Sequence, residues 1–100
     1  MSPRALERCA PPRGRVASPW TVYMLECSNR AFYTGITNDV PRRVSVHQSG
    51  RGSSYTAAHR PLRLVYEEPH QDRGSALRRE AELRRWTHAR KAALIRRRAA

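Results

Sequence analysis

The sequence predicts an α+β domain, a small three-stranded antiparallel sheet flanked by helices, in the order β-β-α-β-α-α. Three observations point there. Two runs dense in β-branched and aromatic residues, WTVYMLE at 20–26 and AFYTGIT at 31–37, stand on either side of a short polar turn, which is the pattern of a hairpin. A third run, LRLVYEE at 62–68, alternates apolar and polar residues directly after Pro61. Segments with helical spacing and good capping residues occupy the intervals between and after these runs.

Taken in order, residues 1–18 are rich in proline and arginine and show no periodicity, so they read as a disordered basic arm ahead of a domain at 19–97. Their arginines and scarcity of acids faintly resemble a transit peptide, but they lack the apolar stretch of a secretory signal. Ser28-Asn29-Arg30 forms the turn of the hairpin. Asn38 or Asp39 caps a first helix, in which an early Pro41 is tolerated because the first turn leaves its N–H groups unpaired anyway. That helix runs to Gln48 and stops at Ser49-Gly50. GRGSSYTAAHR at 50–60 reads as a loop, rich in glycine and serine. After the third strand, Asp72 to Ser75 supply caps for a helix across ALRREAELRRW, and Thr87 starts a separate last helix through HARKAALIRRR.

The chain has 100 residues, enough for one core, and 39% are hydrophobic. No apolar run approaches the roughly 20 residues that a membrane helix needs. All but one of the twenty basic residues are arginine, and the formal net charge is +12. A chain so charged repels itself unless a polyanion is near, so nucleic acid leads as partner, ahead of an anionic membrane surface or an acidic protein. Cys9 and Cys27 make neither a disulfide framework nor a CxxC metal site, which suits a reducing cytosol.

Several residues sit where packing alone would not put them. On a wheel with Val40 at zero, Val44 falls near about 40°, His47 near about 340° and Arg43 near about 300°. Arg43 and His47 therefore border the apolar stripe, while Arg42 and Ser45 point away. A buried arginine or histidine edge is costly without a partner, and the bland reading is that both snorkel past the core. Glu80 repeats the anomaly, with Ala76 and Leu77 one turn before it and Leu83 after it. Either Arg84 pairs with it at i+4, or it is a carboxylate held to bind a hard divalent cation. Tyr23 and Tyr33 lie on strands that should pair, where tyrosine usually means packing. Gly35, inside a strand, often marks close approach by a ligand or another backbone.

Together these residues resemble the GIY-YIG nuclease family. Val22-Tyr23 is followed ten residues later by Tyr33-Thr34-Gly35, then by Asp39, Arg43 and His47 at four-residue steps, then by Glu80 in ALRREAELRR. Thr34 stands where the motif has isoleucine. The likeness covers about residues 19–97 and is closest to the small single-domain bacterial branch. Tyr55-Thr56, Arg60-Pro61 and Leu64-Val65-Tyr66 match that branch's middle segment.

The resemblance implies the GIY-YIG fold and an endonuclease that hydrolyses DNA phosphodiesters with Mg²⁺ or Mn²⁺. It makes Glu80 the metal ligand and Tyr23, Tyr33, Arg43 and His47 the catalytic set. Tyr23 and Tyr33 would flank the attacking water, and Gly35 would keep the strand open to the DNA backbone. Gly35, Tyr55, Arg60, Arg78, Arg79 and Arg85 then count as nucleic-acid contacts, and Arg96, Arg97 and Arg98 as non-specific ones. The expected partner is duplex or branched DNA, with a DNA-repair protein as a further partner; no membrane is expected, and the chain reads as a monomer in the nucleoid-associated cytoplasm. A competing reading keeps the fold and the grip on nucleic acid with little or no cleavage, because no counterpart stands where many family nucleases carry an asparagine after the glutamate helix. A third is an RNA-associated or ribosome-associated basic protein.

Overall fold

The structure, a computed structural model, describes residues 20–99; the basic arm at 1–18 and Cys9 lie outside the described residues. The elements are β1 (Trp20–Cys27), β2 (Phe32–Thr37), α1 (Val40–Gln48), α2 (Ser54–Ala58), β3 (Pro61–His70), α3 (Arg73–Arg84) and α4 (His88–Ala99). The order expected from sequence therefore gains one element. Residues 54–58, expected as loop, form a short helix whose N-cap Ser53 accepts a hydrogen bond from the Thr56 amide. Five residues are too few for a helical period to register, and such a turn is held by its tertiary contacts.

The hairpin turn closes with the Arg30 amide donating to the Cys27 carbonyl at 2.8 Å, and Arg30 takes a left-handed φ of 71°. A three-residue loop of this kind needs one left-handed residue, usually glycine. β1 then pairs with both other strands, antiparallel, in the order β2-β1-β3. Tyr23 stands opposite Gly35, and Tyr33 opposite Leu25. Along β3 the register slips between Met24 and Leu25, so that Val65 has no partner across the ladder. β3 is an edge strand, which is why it can carry Pro61 and Pro69.

Alternate residues of a strand point to opposite faces, so β1 feeds two cores. Val22 and Met24 pack with Tyr66, Ala76 and Leu83, and Leu94 of α4 completes that layer. Tyr23 and Leu25 pack with Val40 and Val44 of α1 on the other face. This explains the near-continuous apolar run of β1, which no water-facing strand would need. α1 is capped by Asp39, whose carboxylate accepts from the Arg42 amide, with Pro41 in the first turn. α3 is capped by Asp72. α4 starts afresh as expected, with the Thr87 hydroxyl accepting from the Arg90 amide. His88 ties α4 to the hairpin, donating to the Arg30 carbonyl and stacking on Phe32 at 4.5 Å. No helix among the described residues is long and apolar enough to cross a membrane.

Candidate active site

The face of the sheet covered by α1 carries the polar cluster. His47 is the pivot. Its position on α1, one turn after Arg43, turns the ring into the core rather than along its border, and it is wholly buried. Both ring nitrogens are engaged: Nε2 lies 2.8 Å from the Tyr23 hydroxyl and Nδ1 lies 2.8 Å from the Thr56 hydroxyl. Tyr33 packs edge-on against the same ring at 4.9 Å. Arg43 is half-buried beside them and donates from Nη2 to the Gly52 carbonyl at 3.1 Å.

The protonation states follow from these contacts. Burial pushes the Tyr23 phenol up to about 12, outweighing the favourable hydrogen bond and charge of Arg43, while Tyr33 and Glu80 push the same way as burial. Burial, with the charge of Arg43, brings His47 down to about 4. At neutral pH the phenol is protonated and the imidazole neutral. Arg43 is donor only, so the phenol gives its proton to the bare Nε2. Nδ1 then carries the ring hydrogen and donates to Thr56, whose own hydroxyl can donate to the Ser53 carbonyl at 3.4 Å. One directed chain therefore runs from Tyr23 through His47 and Thr56 to Ser53.

Two glycines make room for this chain. A Cβ on Gly35 would stand 2.6 Å from the Tyr23 hydroxyl, and one on Gly52 would stand 2.6 Å from His47 Cε1. Gly35 was expected to leave the strand open to DNA; what the structure places against it is the Tyr23 phenol. Gly35 is buried, and the space it leaves is filled by the phenol opposite it. Sequence reasoning gives Gly52 no part and Thr56 no role beyond its place in the family segment, because both lie in a stretch that reads as loop.

Glu80 comes from the other layer, on α3. Ala76 and Leu83 are buried, but Leu77 is exposed, so Glu80 borders the packed face rather than lying inside it. Its side chain is 18% exposed and has one ion-pair partner among the described residues, Arg84, at a loose 3.9 Å. It reaches the cluster by charge, as one of the groups that hold the Tyr23 proton, and not by a hydrogen bond. Among the described residues no three acidic, histidine or cysteine side chains converge on a metal position. A weakly paired single carboxylate nevertheless fits Mg²⁺, which keeps most of its waters and takes one or two protein carboxylates.

The cationic residues divide. A cleft of about 490 Å³, lined by Thr37, Asn38, Asp39, Arg42, Arg43 and Val46, opens beside the cluster at the start of α1. Arg60, Arg78 and Arg85 are exposed. Arg79 is not: it bonds Glu68 and Glu82 and lies over the Trp86 ring, so the structure uses it as a strut between β3 and α3. Tyr55 is 38% exposed, stacks on Tyr33 and accepts a hydrogen bond from the Asn29 side chain at 2.9 Å.

Comparison with known proteins adds a family to this geometry. The model of the GIY-YIG catalytic domain matches residues 19–93. A UPF0213 protein of Xanthomonas axonopodis pv. citri is 44% identical over 77 residues, covering 77% of this chain and 76% of that protein. A UPF0213 protein of Staphylococcus aureus is 42% identical over 77 residues, covering 77% of this chain and 94% of that one. The solution structure of a UPF0213 protein from Bacillus halodurans is 38% identical and covers 76% of this chain and 81% of its own, with a TM-score of 0.49. With the family model spanning β1 to α4 and these identities to small bacterial proteins, the chain belongs to the GIY-YIG nuclease family, in its small single-domain bacterial branch.

Proposed function

We propose that this protein is a metal-dependent endonuclease that hydrolyses DNA phosphodiester bonds. The observation that carries the reading is the buried hydrogen bond from Tyr23 to His47, with Arg43 beside it. A buried phenol needs a partner in any role; here the partner is an imidazole able to take its proton, with a guanidinium alongside.

In this reading the scissile phosphate lies against Arg43, whose guanidinium steadies the oxygens that gain charge in the transition state. A water between Tyr23 and Tyr33 gives its proton to the Tyr23 oxygen as the phenol passes its own to Nε2 of His47. The resulting hydroxide attacks phosphorus, the bond to the leaving oxygen breaks, that oxygen takes a proton from solvent, and the imidazolium returns its proton through Tyr23 to solvent. Thr56 keeps the imidazole in the tautomer that can accept. His47 is a weak base at rest because it is buried and faces Arg43. A phosphate bound on Arg43 offsets that charge and raises the imidazole's proton affinity when it is needed. Glu80 would hold Mg²⁺ or Mn²⁺, which when bound supplies Lewis-acid stabilisation of the phosphate. Work on branched or damaged DNA in the bacterial cytoplasm, beside a repair protein, fits the charge and the small size.

The test is cleavage of labelled duplex, single-stranded and branched DNA with Mg²⁺ or Mn²⁺, beside Arg43→Ala and Glu80→Ala. Loss of about 100-fold or more in both variants supports the reading. Cleavage that persists in both sinks it. The second reading, a module that binds DNA with little cleavage, draws support from the burial that keeps the Tyr23 proton in place. Binding without cutting under either metal would decide for it.

A further inference from the structure

A second groove lies at the outer edge of β2 and shares no lining residue with the Arg43 cleft. It measures about 350 Å³ and is lined by Phe32, Tyr33, Thr34, Tyr55, Arg84 and Lys91, within the roughly 300–1,000 Å³ of ligand clefts. β2 is an edge strand, so the groove wraps from the face carrying Tyr33 to the face carrying Phe32.

Three features of its lining ask for a ligand. Tyr55 is an exposed ring that is already held, by Tyr33 at 6.2 Å and 23°, by His59 at 4.8 Å and by the Asn29 amide. An aromatic ordered before anything docks on it loses little entropy on binding. Lys91 makes no ion pair among the described residues, and burial and the charge of Arg84 both lower its pKa. Two cations crowded together in this way gain from an anion placed between them. Thr34, buried to 3% exposure, carries a hydroxyl with no hydrogen-bond partner among the described residues, and such groups are rare without a reason.

We propose that this groove binds one unstacked nucleotide of the DNA, its base on Tyr55 and its phosphate on Lys91 and Arg84. The inference rests on the nuclease reading, because Tyr33 is shared between the groove and the Tyr23–His47 cluster. A nucleotide held here is therefore next to the one being cut. Base stacking on an aromatic ring tolerates any sequence, so the groove selects for an unpaired position and not for a particular base. It makes bulges, flaps and single strands the preferred substrates over perfect duplex.

The experiment is fluorescence anisotropy without divalent metal, so that nothing is cleaved, on a labelled perfect duplex, the same duplex with a one-nucleotide bulge, and the single strand. The wild type should bind the bulged and single-stranded probes more tightly than the perfect duplex. Tyr55→Ala should weaken the unpaired probes by about tenfold or more, and more than it weakens the duplex; Tyr55→Trp should restore the difference. Lys91→Gln should lower the salt slope on the single strand by about 0.7. Equal affinity of the wild type for all three probes overturns the groove while leaving the nuclease reading standing. So does a Tyr55→Ala variant, folded by circular dichroism, that weakens every probe alike or none. Failure to bind any DNA overturns both readings together.

Discussion

The hydroxyl of Tyr23 and Nε2 of His47 lie 2.8 Å apart at the centre of the buried sheet face, on residues 24 positions apart in the chain. Both side chains are almost wholly buried, so neither can exchange this partner for water. Tyr23→Phe keeps the ring over Gly35 and leaves Nε2 without a donor. An unmet buried polar atom costs about 1–3 kcal/mol, and removing a group that moves a proton costs about 100-fold or more in rate. Urea denaturation should read the first loss and a cleavage assay the second. A stable variant with full activity would show that the phenol has no part in the chemistry.

Thr56 acts through His47. Its hydroxyl is the acceptor that holds the ring hydrogen on Nδ1 and leaves Nε2 free for Tyr23. Thr56→Val has the same shape without that oxygen, and should lower cleavage by roughly 10- to 100-fold with little change in KM for DNA. Thr56→Ser should recover most of the rate. A nitrogen-15 NMR spectrum of the imidazole gives the separate readout: the wild type should show the Nδ1–H tautomer, and Thr56→Val a mixture. A pure Nδ1–H signal in Thr56→Val would remove Thr56 from this role.

The same histidine makes stability depend on pH. Its ordinary value of 6.5 falls to about 4 in the folded protein, because burial and then Arg43 disfavour the charged ring. Between those values the unfolded chain binds the extra proton and the folded one does not, so stability rises with pH across that window. The contribution is full above 6.5 and is lost as pH falls from there toward about 4, on the order of 3 kcal/mol in all. Glu68 acts in the same sense at lower pH: burial alone would raise its carboxyl, but the hydrogen bonds of His70 and Tyr66 and the charge of Arg79 bring it below its usual value. Denaturation at pH 7.5, 5.5 and 4.5 should show the wild type weakening steadily. His47→Gln, less stable at pH 7.5, should lose less on acidification.

Much of this site could be read from spacing, and the rest depended on who meets whom across the chain. A helical wheel placed Arg43 and His47 beside the apolar stripe of α1 because four-residue steps suffice for that. It could not say that His47 goes fully inside, since the partners that allow this, Tyr23 and Thr56, come from other elements. α2 escaped notice for the same reason, being a single turn whose purpose is to deliver Thr56. Arg78 and Arg79 look alike in sequence. Only the pairing of β3 with β1 brings Glu68 to Arg79 and leaves Arg78 in water. Gly35 was rightly singled out as unusual, but what approaches it is the protein's own tyrosine.

That approach can be tested directly. Gly35→Ala puts a methyl within 2.6 Å of the Tyr23 hydroxyl. Tyr23 is the far end of a side chain, but it is buried and bonded to His47, so it cannot swing aside freely. Overpacking of this kind costs about 1–3 kcal/mol, and it should break the Tyr23–His47 bond as it does so. The expected result is a folded protein of lower Tm with cleavage lost about as fully as in Tyr23→Phe. The double variant Gly35→Ala with Tyr23→Phe should then lose little further activity, since both changes strike one contact. Additive losses would mean that Gly35 serves something other than the phenol, such as the DNA path first expected for it.

Glu80 is the remaining link, and it can be examined without any substrate. Its one loose partner among the described residues, Arg84 at 3.9 Å, leaves most of the carboxylate's hydrogen-bonding capacity open there. An ion that binds only the folded state stabilises it by about 2.7 kcal/mol when present at about 100 times its dissociation constant. Mn²⁺ or Mg²⁺ should therefore raise the Tm of the wild type by several degrees, and the rise should saturate. Glu80→Ala should abolish the shift. Glu82, on the same helix and more exposed, pairs with Arg79 alone among the described residues, and Glu82→Ala should keep the shift. A shift that survives Glu80→Ala, or disappears equally in Glu82→Ala, would mean that the ion is held by the general charge of α3 and that Glu80 is a structural carboxylate paired with Arg84.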